Sequence, residues 1–218
     1  DMKYARTNLL DPAVTTFPRL ETLLVESTYG GHDNTQKPLK DAEGDLIETI
    51  KRTTERNGKV LIPVLGSGRA QEVLLMIHSA ITSGRLPQMP VFIDGMVWDI
   101  TAIYTAYPEF MNSRVRRLIF HRDSNPFLSE IFRQVGSQKE RMQIIEETGA
   151  CVILATSGML VGGPSVEYLR QLADNPKNCL VFVSYQAEGS LGARIQRGVR
   201  DIAMPQPGGM SQEHLQVQ

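Results

Sequence analysis

The sequence predicts an α/β fold: three α/β/α layers built on a mainly parallel sheet. Two features point there. Short, nearly continuous apolar runs alternate along the chain with stretches whose apolar residues recur at helical spacing. Strands buried on both faces read as continuous apolar runs, and helices make the crossovers between parallel neighbours. In addition, several runs lead into a glycine-containing turn and then directly into a helix. Strand–turn–helix units of open α/β sheets are built that way, and their ligands bind outside the carboxyl ends of the strands.

Taken in order, residues 22–26 (Thr-Leu-Leu-Val-Glu) form the first apolar run and are expected as a buried strand ending on Glu26. Residues 27–36 are polar and contain glycine, so they read as a loop. Pro38 opens a helix carrying Leu39, Ala42, Leu46, Ile47 and Ile50, with its stop at Asn57-Gly58. A second strand is expected over residues 59–65, with Gly66-Ser67-Gly68 as its turn. Ala70, Val73, Leu74, Ile77 and Ile81 then mark a helix that Gly84 closes. Residues 90–94 read as a third strand, and 96–119 as mostly helical with a break near Pro108. Between 121 and 149 only a helix over 138–148 stands out. Two further units follow: strand 151–155, loop 158–163 and helix 165–173, then strand 179–183, loop 186–189 and helix 191–196. Residues 205–209 (Pro-Gln-Pro-Gly-Gly) read as a turn or linker, and 213–218 as the opening of an alternating strand. No repeat or low-complexity tract is visible.

The bulk properties limit what the chain does. Its 23 Lys+Arg and 24 Asp+Glu give a net charge of −1, so a polyanion would have to be drawn by a local groove rather than by a global field. No apolar run approaches the roughly 20 residues of a membrane span. Cys151 and Cys179 each open an apolar run and read as buried reduced thiols, which fits a cytoplasmic protein. The first residue is Asp1, and the last residues resemble a strand cut short. The chain therefore reads as a segment of a larger protein.

Three turns share one design: residues 65–69, 156–163 and 184–192. Glycine lets backbone approach a ligand, and the following helix start offers unpaired N–H groups that suit phosphate oxygens. The hydroxyls of Ser67, Ser157 and Ser190 and the guanidinium of Arg69 add donors. Tyr185 suits either a base or the core. One such turn is weak evidence, because α/β folds need glycine there anyway. Three with polar donors tilt toward an anionic or nucleotide-like ligand. Glu26, at the end of an expected buried strand, needs a cation, a histidine or backbone donors as a partner, or else is an ordinary capping or salt-bridged acid. His32, His78, His121 and His214 form no H-x-H or H-x-x-x-H pair, so spacing assembles no metal cage. His32 lies near Glu26 in sequence but reads as a bland loop residue. Arg114, Arg116 and Arg117 read as a solvated helix face rather than a phosphate contact.

Four motifs are more specific: Glu26-Ser-Thr-Tyr-Gly-Gly31, Gly68-Arg-Ala-Gln-Glu72, Thr156-Ser-Gly-Met-Leu-Val-Gly-Gly-Pro164 and Ser184-Tyr-Gln-Ala-Glu-Gly-Ser-Leu-Gly192. In that order they resemble the metallo-β-lactamase-fold ribonucleases with a β-CASP domain. The nearest likeness is to archaeal homologues of the nuclease subunit of the cleavage and polyadenylation specificity factor. The resemblance spans nearly the whole chain. It implies that residues 1–30 are a remnant of the metallo-β-lactamase domain, 31–199 the β-CASP cap, and 200–218 the segment returning to the first domain.

The resemblance also implies function. The parent would be a zinc-dependent ribonuclease in RNA 3′-end processing or decay, cutting single-stranded RNA held between cap and catalytic domain. A homodimeric parent is compatible with it. Asp1 matches the aspartate that bridges two zinc ions. Glu26 matches the acid that orients a general-acid histidine, and Ser67, Arg69, Ser157, Gly158, Tyr185 and Gln186 would face the RNA. The ligand histidines of the family have no counterpart in these residues. The chain by itself is thus expected to bind no zinc tightly and to be inactive. A non-catalytic nucleotide- or RNA-binding α/β module is the competing reading of the same turns.

Overall fold

The computed structural model describes residues 2–121, 124–206 and 208–218. The elements run α1 (Leu39–Glu55), β1 (Lys59–Pro63), α2 (Arg69–Thr82), β2 (Val91–Asp94), α3 (Val97–Ala106), a 3-10 turn (Pro108–Phe110) and α4 (Ser113–His121). A second 3-10 turn (Pro126–Leu128) leads to β3 (Phe132–Val135), α5 (Gln138–Glu146), β4 (Cys151–Ala155), α6 (Pro164–Leu172) and β5 (Cys179–Leu180). The chain then forms α7 (Leu191–Gln196), β6 (Asp201–Gln206) and β7 (Gly209–His214). β1 to β5 make one sheet in the order β3-β2-β4-β1-β5, and every pairing is parallel. The predicted α/β class and parallel sheet are thus what the chain adopts.

β1 and β4 lie inside the sheet and are buried at every residue, which is why they read as unbroken apolar runs. Side chains alternate across the sheet and divide the core in two. Val60 and Ile62 of β1 pack with Ile50 of α1 and Leu74 and Ile77 of α2 on one face. On the other, Leu61 of β1 meets Ile144 of α5 and Tyr168 and Leu169 of α6. Ser137 accepts a bond from the Glu140 N–H at 3.2 Å, and Glu140 reaches back to the Gly136 N–H at 2.7 Å, which fixes the start of α5.

Three features depart from the sequence expectation. Residues 22–26 form no strand: Leu23, Val25 and above all Leu24 (96% exposed) face outward. An apolar run becomes a strand only when neighbours take up its N–H and C=O groups, and no strand among the described residues does so. β3 was missed because only Phe132 and Val135 are buried, while Arg133 and Gln134 point to solvent. An edge strand of that kind carries no continuous apolar signal. Residues 201–206 and 209–214 pair as antiparallel strands on either side of the predicted turn, with Asp201 opposite His214. Its Ile202 and Met204, together with Leu215 and Val217 just beyond β7, pack into the α6-side core. Among the described residues no helix is long and apolar enough to cross a membrane.

Candidate nucleic-acid interface

Because β1, β4 and β5 are parallel neighbours, the turns that follow them open at one edge of the sheet. The three turns interlock there. A Cβ on Gly158 would lie 2.8 Å from the Leu65 nitrogen and 2.9 Å from the Val64 carbonyl carbon, so only glycine lets the turn after β4 sit against the turn after β1. The Gln186 side-chain amide donates to the Gly158 carbonyl at 2.9 Å and to the Ser184 carbonyl at 3.2 Å, tying in the turn after β5. Gln186 is buried and packs against Gly192, where a larger residue would strike its Oε1. The Ser157 hydroxyl donates to the Gly162 carbonyl at 3.0 Å and accepts the Val161 N–H at 3.0 Å.

The predicted turn residues therefore divide into two sets. Ser157, Gly158 and Gln186 use their polar groups inside the turns. Ser67 and Tyr185 are exposed, and Arg69 is half-buried at the start of α2. The Ser67 hydroxyl lies 3.3 Å from that of Tyr104. Gln71 and Glu72, from the same motif, hold the turn and the N-terminal segment. The Gln71 amide bridges the Gly68 N–H at 2.7 Å, the Gly66 carbonyl at 3.0 Å and the Thr101 hydroxyl at 2.9 Å. The buried Glu72 carboxylate accepts the N–H groups of Asn8 (3.2 Å) and Leu9 (2.8 Å).

Through this clamp the N-terminal segment reaches the same edge. The Lys3 ammonium comes close enough to Arg69 and Glu72 to feel both charges; burial, then Arg69, pulls its pKa below the ordinary lysine range, and Glu72 opposes. Tyr29 meets Tyr185 edge-on, with ring centroids 5.9 Å apart, and both rings are about half exposed (46% each). The sequence reading missed Tyr29 although it lies inside the first motif, because nothing local distinguishes an exposed tyrosine that has a distant partner.

Glu26 is exposed, not buried as expected from its place in an apolar run. It takes the Thr28 N–H at 2.9 Å. That bond first, then the Thr28 hydroxyl and the Met2 N–H, holds its carboxyl below the usual range and favours the carboxylate. That last contact places Met2 beside Glu26. Asp1 itself lies outside the described residues. His32 is exposed beside Asp33, and His78 is half-buried in α2, with its pKa lowered by burial. Among the described residues no three His, Cys, Asp or Glu side chains converge as a metal would require.

A second polar cluster begins at Asp94, the last residue of β2. Arg141 grips both Asp94 oxygens at 2.8 and 3.1 Å and Glu167 at 2.6 Å, and the Tyr168 hydroxyl donates to Asp94 at 3.0 Å. Burial, then Asp94, pushes the Tyr168 hydroxyl far above its ordinary pKa, so it stays a donor. The cluster joins β2, α5 and α6 internally.

Known proteins add the following. A model described as the Beta-Casp domain matches residues 70–195. The Transcription termination factor FttA of Methanocaldococcus jannaschii is 52% identical over 202 residues, 93% of this chain and 32% of that protein. The same-named protein of Pyrococcus horikoshii is 53% identical over 204 residues, 94% of this chain and 31% of that protein. That of Lokiarchaeum is 51% identical over 202 residues, 93% of this chain and 32% of that protein. The chain thus spans about a third of the length of the curated relatives it matches.

Proposed function

The chain belongs to the Beta-Casp domain family, and from that membership we propose that it is the RNA-gripping part of a larger metal-dependent ribonuclease. The names of its relatives support a role for that ribonuclease in transcription termination, and the sequence motifs support one in RNA 3′-end processing or decay. The observation that carries the reading is the meeting of the first and last motifs. Tyr29 reaches Tyr185 at the edge where the glycine turns open, and Arg69 and Lys3 stand at the same edge.

Each group has a role suited to its position. Arg69 and Ser67 hold phosphate oxygens, the guanidinium with paired donors and the hydroxyl with one. Tyr185, with Tyr29 beside it, offers an exposed ring to an unstacked base, the usual means of holding single strands without sequence preference. Ser157, Gly158 and Gln186 act at one remove, by fixing the shape of the turns. Glu26 is kept ionised by Thr28, and in the whole protein it would orient a histidine that protonates the leaving oxygen. Asp1 would serve as a metal ligand there. In the whole protein two zinc ions would supply Lewis-acid chemistry, held mostly by residues other than these.

The test compares binding of single-stranded RNA and of mononucleotides by this chain across a salt titration. Binding of RNA that weakens steeply with salt is expected, since each neutralised phosphate contributes a slope of about −0.7 in log K against log salt. Arg69→Gln should weaken that binding and flatten the slope. A preference for mononucleotides with little salt dependence would replace the reading with a nucleotide-binding module.

A further inference from the structure

α4 carries a feature that the turns do not account for. Ser113, Arg116, Arg117 and Phe120 stand at positions i, i+3, i+4 and i+7 of this helix and line one open groove. Phe120 is 60% exposed within it. Arg116 donates to the Glu109 carbonyl at 3.4 Å, and among the described residues neither guanidinium is paired with a carboxylate. Phe110, next to Glu109, is 76% exposed. The acids nearest in sequence to the groove are Asp123, which lies outside the described residues, and Glu109.

The groove also adjoins the edge already described. Arg6 reaches Ser113 at 3.5 Å while paired with Asp11. Asn112, just before α4, donates to the Thr7 and Asn8 carbonyls at 3.2 and 2.9 Å. The next residue, Leu9, is held by Glu72, whose charge Lys3 feels beside Arg69. The N-terminal segment thus touches both the α2 start, through Lys3 and Leu9, and the α4 start, through Arg6, Thr7 and Asn8.

We propose that the Ser113–Arg116–Arg117–Phe120 face of α4 is a second binding site for single-stranded RNA, extending the path that starts at the glycine turns. The inference rests on the RNA-gripping reading above. Arginines 116 and 117 take successive phosphates and Phe120 takes a base. Charge selects this occupant: a basic pair that meets no carboxylate among the described residues, with an exposed ring one turn further on, suits a polyanion that carries aromatic faces.

The experiment measures binding of fluorescein-labelled oligouridylates of about 4 and about 16 nucleotides, lengths that bracket common single-strand site sizes, to the chain and its variants across a salt titration. The wild type binds the longer RNA more tightly. Arg116→Gln/Arg117→Gln cuts affinity for the long oligomer about tenfold, leaves the short one unchanged, and flattens the salt slope by about 1.4. Phe120→Ala weakens the long oligomer about tenfold with the slope retained. Arg69→Gln weakens both lengths. All four side chains that line the groove lie at the surface of α4, and the variants should melt with the wild type, so a lost fold would register separately. If the double variant binds the long RNA like wild type while Arg69→Gln weakens both, the α4 site is wrong and the turn site stands. If Arg69→Gln changes neither, the turn reading fails, and if no oligomer binds, both fail. Loss of oligoglutamate binding in the double variant with RNA binding intact would make the face a site for an acidic protein and overturn the proposal.

Discussion

Residues with similar sequence credentials end in different environments. Ser67 and Ser157 both follow strands in glycine turns, yet Ser67 is exposed and the Ser157 hydroxyl is committed to Gly162 and Val161. Sequence names the donor but not whether the turn consumes it. The cysteines behave as their apolar runs suggest: both are free and buried. Burial pushes the Cys151 thiol up to about 12 and raises Cys179 as well. A raised thiol pKa means less thiolate at any given pH, and thiolate is the reacting species. Neither cysteine should therefore react with a disulfide reagent near pH 8 in the folded protein, and both should react in guanidinium. Rapid native-state labelling of Cys151 would contradict its placement in the core.

At the level of elements, the turns work as one interlocked unit, which yields a sharp expectation at Gly158. Its missing Cβ faces backbone of residues 64 and 65, which cannot swing away as a side-chain tip does. Gly158→Ala should lower the melting temperature and weaken RNA binding together, whereas Arg69→Gln should weaken binding alone. A Gly158→Ala variant that melts and binds like wild type would break the link between turn packing and grip. The Asp94 cluster is a stability device of the same scale. With Asp94 at 3% and Arg141 at 17% side-chain exposure, the pair is largely removed from water. Arg141→Met leaves a buried carboxylate that keeps the Tyr168 hydroxyl but loses its counter-charge, and should cost about 3–5 kcal/mol in urea denaturation. A loss below about 1 kcal/mol would mean that water reaches the Asp94 carboxylate once Arg141 is gone.

Across the whole molecule, apolar residues fall into two populations that composition does not separate. Ile202 is fully buried against α6-side neighbours, and Leu24 is 96% exposed. Ile202→Ala should destabilise by about 2–5 kcal/mol, while Leu24→Ala should fall within about 0.5 kcal/mol of wild type. Equal effects would mean that residues 22–26 pack after all or that the hairpin does not. The exposed run and the buried hairpin also show why local pattern succeeds in one place and fails in another. α2 and the inner strands β1 and β4 were legible because their burial repeats at the period of their own backbone. Residues 22–26 share the apolar character but lack a ladder partner among the described residues, and β3 has a ladder partner but little apolar character.

By itself the sequence determined the layered α/β class, the parallel sheet and the three glycine turns, since hydrophobic period and turn chemistry are local properties of a chain. Tertiary structure alone decided which donors face outward, that Tyr29 meets Tyr185, and that Arg116, Arg117 and Phe120 share an open groove whose first residue, Ser113, Arg6 touches. Those relations join residues far apart along the chain, and only the packing of α2, α4 and the N-terminal segment brings them within contact distance.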